Sequence, residues 1–88
     1  MAFHIEYMEV VVRKDIPRLS PPVRTQIKKA IETRLVVDPI SYGKPLRFGL
    51  SGQRRLRVSD YRIIYTVNSK TNLVTINTIK HRKDVYDD

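Results

Sequence analysis

Cysteine is absent from the 88 residues, so no disulfide can staple the chain and no thiolate can hold a metal. No apolar run approaches the ~20 residues that a membrane-spanning helix needs, and residues 1–5 lack the layout of a secretory signal. The expectation is a cytoplasmic protein with no membrane partner. Carboxylates do not cluster and histidines do not recur at ligand spacing, so the sequence offers no metal site and implies no cofactor. Acidic residues are also scarce where basic ones are dense. Between positions 44 and 83, ten Lys and Arg face the single Asp60, a local charge of +9 in a chain whose total is +8. A field of that sign draws polyanions, of which nucleic acid is the usual one.

What is present suffices for one small core. A hydrophobic content of 41% is too high for a disordered tail, and the length predicts a single domain over 1–88 with a stability on the order of 5 kcal/mol. Residues 3–7 alternate apolar and polar and read as a first strand. Met8, Val12, Ile16 and Leu19 recur at helical spacing and predict a short helix over 8–19, its ends blurred by the valines at 10, 11 and 12 and by Pro17. The second helix is better defined. Ser20 can cap it, Pro21 suits its first turn, and Val23, Ile27, Ala30, Ile31 and Leu35 form one apolar stripe that Asp38-Pro39 ends. Ser41-Tyr42-Gly43-Lys44-Pro45 reads as a loop. Strands are expected over 46–50, 54–58, 61–67 and 73–79, and their short connections favour antiparallel hairpins. The order predicts an α+β fold with two N-terminal helices packed on one face of an antiparallel sheet.

The stretch 54–67 carries the densest chemical signal. If Ser59-Asp60 is a two-residue hairpin turn, Val58 lies opposite Tyr61, Arg57 opposite Arg62 and Leu56 opposite Ile63. Alternation then points Leu56, Val58, Tyr61, Ile63 and Tyr65 at the helices and gathers Arg55, Arg57 and Arg62 on the other face, with Ile64 among them. Like charges paired across a hairpin repel, so replacing Arg62 by alanine is expected to raise stability slightly. An anion bridging the three would offset that repulsion, and guanidinium groups bind phosphate oxygens through paired hydrogen bonds. His81, Arg82 and Tyr86 follow the last strand, which can lie beside 61–67 and bring the tail towards the arginines. His4 has no such context and reads as structural.

The segment Leu56-Arg57-Val58-Ser59-Asp60-Tyr61-Arg62-Ile63-Ile64-Tyr65 resembles the RLRVGDYRVIY core of RelE/ParE toxins, with Ser59 in place of the common glycine. Asp38-Pro39, Gly43-Lys44-Pro45-Leu46 and His81-Arg82-Lys83-Asp84-Val85-Tyr86 resemble that family too, in its usual order, so the likeness spans nearly the whole chain. It implies a RelE-like fold, a twisted antiparallel sheet under two N-terminal helices. It also implies the toxin of a type II toxin–antitoxin system, with a cognate antitoxin, the ribosome and mRNA as partners. RelE-type members cut ribosome-bound mRNA without a metal: the RNA's own 2′-OH attacks the adjacent phosphate and leaves a cyclic phosphate. That chemistry needs a base, a cation for the phosphorane and a proton for the leaving oxygen.

Carried to this chain, Arg55, Arg57 and Arg62 fit charge stabilisation, Arg55 and Arg57 standing where a well-studied branch carries lysines. Arginine stays protonated and cannot be the base, which leaves Tyr86 or His81. Lys44, Arg54, Lys80, Arg82 and Lys83 are the expected RNA contacts. Two other readings share the charge pattern: a ParE-like inhibitor of DNA gyrase and a non-catalytic nucleic-acid-binding module. The second lacks support from the strands, which carry no row of exposed aromatics for stacking bases.

Overall fold

The computed structural model describes residues 2–46 and 52–84. Strand β1 (His4–Tyr7) leads into a first helical segment that is wound irregularly, a wide turn over Val11–Asp15 followed by a tight one over Ile16–Arg18. Pro17 accounts for the irregularity, because it has no N–H to return to Arg13 and the α-helical ladder cannot pass through it. Helix α1 (Pro21–Ala30) has Ser20 at its N-cap and proline in its first turn, and it runs on as a wide turn over Ile31–Leu35. The expected stripe is the buried one: Ile27, Ala30, Ile31 and Leu35 are in the core, and Val23 packs against it.

The stretch expected as a loop after Asp38-Pro39 holds regular structure instead. Asp38 ends one helix and starts the next, its carboxylate accepting the Ser41 N–H at 3.1 Å at the head of the short helix α2 (Pro39–Tyr42). That bond to Ser41 holds the Asp38 carboxyl below its ordinary pKa. Lys44–Pro45 then forms the brief strand β2. The strand expected over 46–50 is not found at Leu46, and its remaining positions lie outside the described residues. Strands β3 (Gln53–Val58), β4 (Tyr61–Asn68) and β5 (Leu73–His81) follow where the alternation put them, and a tight turn over Arg82–Asp84 ends the described chain.

The five strands lie in the order β1-β5-β4-β3-β2. The β2–β3, β3–β4 and β4–β5 pairs are antiparallel, as their short connections require, but β1 runs parallel to β5. The sheet is therefore mixed, not wholly antiparallel. No short connection governs β1, whose neighbour is the last strand of the chain. The helices cover one face, where Val11, Leu19, Ile27, Ile31 and Leu35 meet Leu56, Val58, Ile63, Tyr65, Val74, Ile76 and Ile79. Among the described residues no helix is long and apolar enough to cross a membrane.

Beyond Ile76 the outer edge of β5 has no strand partner from β1. Asp15 takes over there. It is only 5% exposed, accepts the Ile79 N–H at 2.9 Å and holds the Lys80 ammonium 3.7 Å away. A buried carboxylate is tolerable because it satisfies an edge N–H and is paired with a cation.

Candidate functional site

The β3–β4 hairpin sets the site. Val58 pairs with Tyr61, so Ser59 and Asp60 are the whole turn. Ser59 is held at φ +54°, the left-handed region that a primed hairpin turn demands and that favours glycine. Ser59→Gly should raise stability by about 1 kcal/mol, the lower end of what left-handed backbone costs a residue with a Cβ, read as a higher urea midpoint with an unchanged slope.

With that register, Arg57 pairs with Arg62 and Arg62 pairs with Lys80 on β5. Residues directly opposed in antiparallel strands project to the same face, so Arg57, Arg62 and Lys80 form a row of cations across three strands. The adjacent row runs Lys44, Arg55, Ile64, Thr78. Five of the expected site residues thus share the face turned away from the helices. Arg57 and Lys44 are exposed, and Arg55 and Lys80 are half-buried.

Arg62 is different. Only 7% of it is exposed, and its Nη1 donates to the Tyr61 carbonyl at 3.3 Å. Burial reverses the expectation that its removal relieves repulsion: the side chain is part of the packing, and alanine would leave a gap and unmade hydrogen bonds. We expect Arg62→Ala to cost about 1–3 kcal/mol, measured by chemical denaturation.

Two further expected site residues lie off the arginine row. His81 pairs with Tyr61, not Arg62, which places it on the side of Ile63 and Ile79. There its ring meets the Tyr61 ring edge-on at 5.2 Å, and its Nδ1 accepts the Lys83 N–H at 3.2 Å. Its ring therefore lies on the side of the sheet opposite to the arginine row. Arg54 alternates away from Arg55 and is occupied internally. Its Nη2 donates to the carbonyls of Ile40 and Gly43, and its Nε is buried without a partner among the described residues. Arg54 braces the segment from α2 to β2. Arg82 is exposed near the hairpin turn, 3.7 Å from the Asp60 carboxylate, and Lys83 is exposed beside it. Tyr86 lies outside the described residues.

The sequence reading missed the structure beneath Lys44. The Tyr65 hydroxyl donates to the Pro39 carbonyl at 2.6 Å, and burial pushes its pKa up, with the nearby Arg54 opposing. Gly43 lies against the same hydroxyl. Arg54, Tyr65 and Gly43 together fix the segment from α2 to β2, which delivers Lys44 opposite Arg55. The signal available in sequence was Gly43 itself, which read as a turn residue and is in fact a packing one.

A search of family models matches residues 11–86 to the ParE toxin of the type II toxin-antitoxin system parDE. The chain belongs to the RelE/ParE family of type II toxins. Toxin RelG of Mycobacterium tuberculosis is 31% identical over 74 residues, covering 84% of this chain and 85% of its own. Toxin RelE of the same organism is 29% identical over 84 residues, covering 96% of this chain and 86% of its own. Among solved structures, the toxin–antitoxin complex RelBE2 of M. tuberculosis superposes with a TM-score of 0.85 at 26% identity, over 93% of this chain and 100% of that one. The intact RelBE complex of E. coli shares the fold, with a TM-score of 0.77 at 23% identity over 91% of this chain and 96% of that one. The RelE-like α+β fold is thus the fold of this toxin.

Proposed function

We propose that this toxin is a ribosome-dependent, metal-independent mRNA endoribonuclease that halts translation. The observation that supports it most is the row Arg57–Arg62–Lys80, its Lys80 end shared with the Asp15 carboxylate, with Arg55 and Lys44 beside it. A row of cations spanning three strands matches a phosphate chain in an extended strand of RNA. Arg57, the exposed member, takes the phosphoryl oxygens as charge builds on the phosphorane. Arg62 fixes the row from within. His81 is turned away, so we assign the base to Tyr86, which takes the 2′-OH proton as the 2′-oxygen bonds to phosphorus; the P–O5′ bond breaks, water protonates the leaving 5′-oxygen, and a 2′,3′-cyclic phosphate remains. No protein ligand set for a metal takes part in this scheme. The cognate antitoxin, by this reading, brings an acidic or amphipathic segment to neutralise the +9 between positions 44 and 83.

An in-vitro translation reaction with purified toxin tests this, read both as protein yield and by primer extension on the message. Cuts within the translated message are expected, and they should persist under chelation mild enough to leave ribosomes intact. Loss of yield with an uncut message would overturn the nuclease reading. Inhibition of supercoiling by DNA gyrase in a parallel assay would put the ParE-like reading, which the matched family's name favours, in its place.

A further inference from the structure

Beside the cation face lies a cavity of about 210 Å³ lined by Arg34, Tyr42, Lys44, Arg55, Leu56 and Arg57. It sits where β2 ends: pairing stops at Lys44–Arg55, and beyond it the edge of β3 is flanked by α2 and the wide turn after α1. Four cations and one tyrosine surround it, and no carboxylate among the described residues lines it. Tyr42 is 52% exposed, although it is brought to this rim by the braced segment from α2 to β2. Among the described residues neither Arg34, Tyr42 nor Lys44 has a side-chain hydrogen bond or ion pair. About half of this ring is open to solvent at the mouth of a basic hollow.

We infer that this cavity is a second RNA subsite, in which Tyr42 stacks on a nucleobase while Arg34 and Lys44 hold the attached phosphate. The inference rests on the nuclease reading for its RNA, and it adds a residue, a place and a role to it. Single-stranded nucleic acid is bound by aromatic platforms next to cationic grooves, because every base offers a π-face and every linkage a charge. Size agrees: the hollow is smaller than the ~300 Å³ at which enclosing ligand pockets begin, so it suits one nucleotide laid across it. Continuity agrees as well. Arg55 and Arg57 belong to both the cavity and the cation rows, so a strand gripped by the rows runs straight into it. The subsite therefore reads a nucleotide flanking the cut, its aromatic supplied by α2.

Two measurements on the folded toxin separate this site from the reading beneath it. The first is fluorescence polarisation with a short labelled single-stranded RNA. Tyr42→Ala should weaken binding about tenfold, and Tyr42→Phe, which keeps the ring, should bind as wild type. The second is cleavage of ribosome-bound message. Tyr42→Ala should raise KM about tenfold, leave kcat within about twofold and flatten the base preference beside the cut. If the wild type binds RNA in a Tyr42-dependent way yet never cuts, the nuclease reading falls and the subsite stands. If the wild type cuts and Tyr42→Ala matches it in KM, Kd and base preference, the subsite is overturned and the nuclease reading stands. Absence of RNA binding by the wild type overturns the subsite too. So does a Tyr42→Ala variant that loses affinity for the cognate antitoxin but not for RNA, because the hollow would then be a protein-docking surface.

Discussion

Arg57→Ala should lower the rate of message cleavage by about 10²-fold or more while leaving the melting temperature close to that of the wild type. The size follows from what one preorganised donor aimed at developing charge contributes to a transition state. Preservation of the fold follows from exposure, since surface substitutions away from caps and cores usually change stability by no more than about 0.5 kcal/mol. Arg57→Lys keeps the charge but not the paired hydrogen bonds, and it should retain an intermediate rate. Arg62→Ala cannot replace this test, because its loss of activity would be mixed with loss of packing. Calorimetry alongside primer extension separates the two cases. An Arg57→Ala variant that cuts at the wild-type rate would remove Arg57 from the chemistry.

The largest stability effect is expected at Gly43. A Cβ added there would lie 1.8 Å from the Tyr65 hydroxyl oxygen, 2.7 Å from Tyr65 Cζ and 3.0 Å from the Arg55 carbonyl oxygen. Tyr65 is fully buried, so the ring cannot swing aside without disturbing the core. Overpacking of this kind costs about 1–3 kcal/mol or more, and displacing the hydroxyl from the Pro39 carbonyl adds about 0.5–1.5 kcal/mol. For a chain of this size Gly43→Ala should lower the melting temperature by roughly 10–20 °C. Tyr65→Phe removes the nearest clashing atom, so the double variant should be less destabilised than the two single changes added together. Strict additivity would mean that Gly43 and Tyr65 do not bear on each other.

Much of this was legible from residue patterns. The period of Val23, Ile27, Ala30, Ile31 and Leu35 gave the second helix and its buried face. The two-residue gap at Ser59-Asp60 gave the hairpin register, and with it the Arg57–Arg62 pairing. Alternation works there because hairpin turns are local and a sheet has a strict period of two. Patterns failed where a residue's role depends on distant chain. Nothing local pairs β1 with β5, so the parallel edge was not foreseen. Alternation alone could not show that Arg54 is consumed by the carbonyls of Ile40 and Gly43, or that Arg62 is buried. His81 was placed with the arginines by proximity in sequence, but a shift of one residue along a strand reverses the face. Asp15 was missed for the same reason: its partner, the edge N–H of Ile79, is 64 residues away.

In the proposed mechanism the RNA's own 2′-OH attacks a phosphate held on the cation face, so removing that hydroxyl should abolish the cut. Once a cut in a ribosome-bound message is mapped, that message is remade with a 2′-deoxynucleotide on the 5′ side of the cut. Primer extension should then show no cleavage at that position, while all-ribose sites elsewhere in the same message are cut as before. Cleavage at the deoxy position with undiminished rate would contradict the account, because no internal nucleophile would remain there to form the cyclic phosphate.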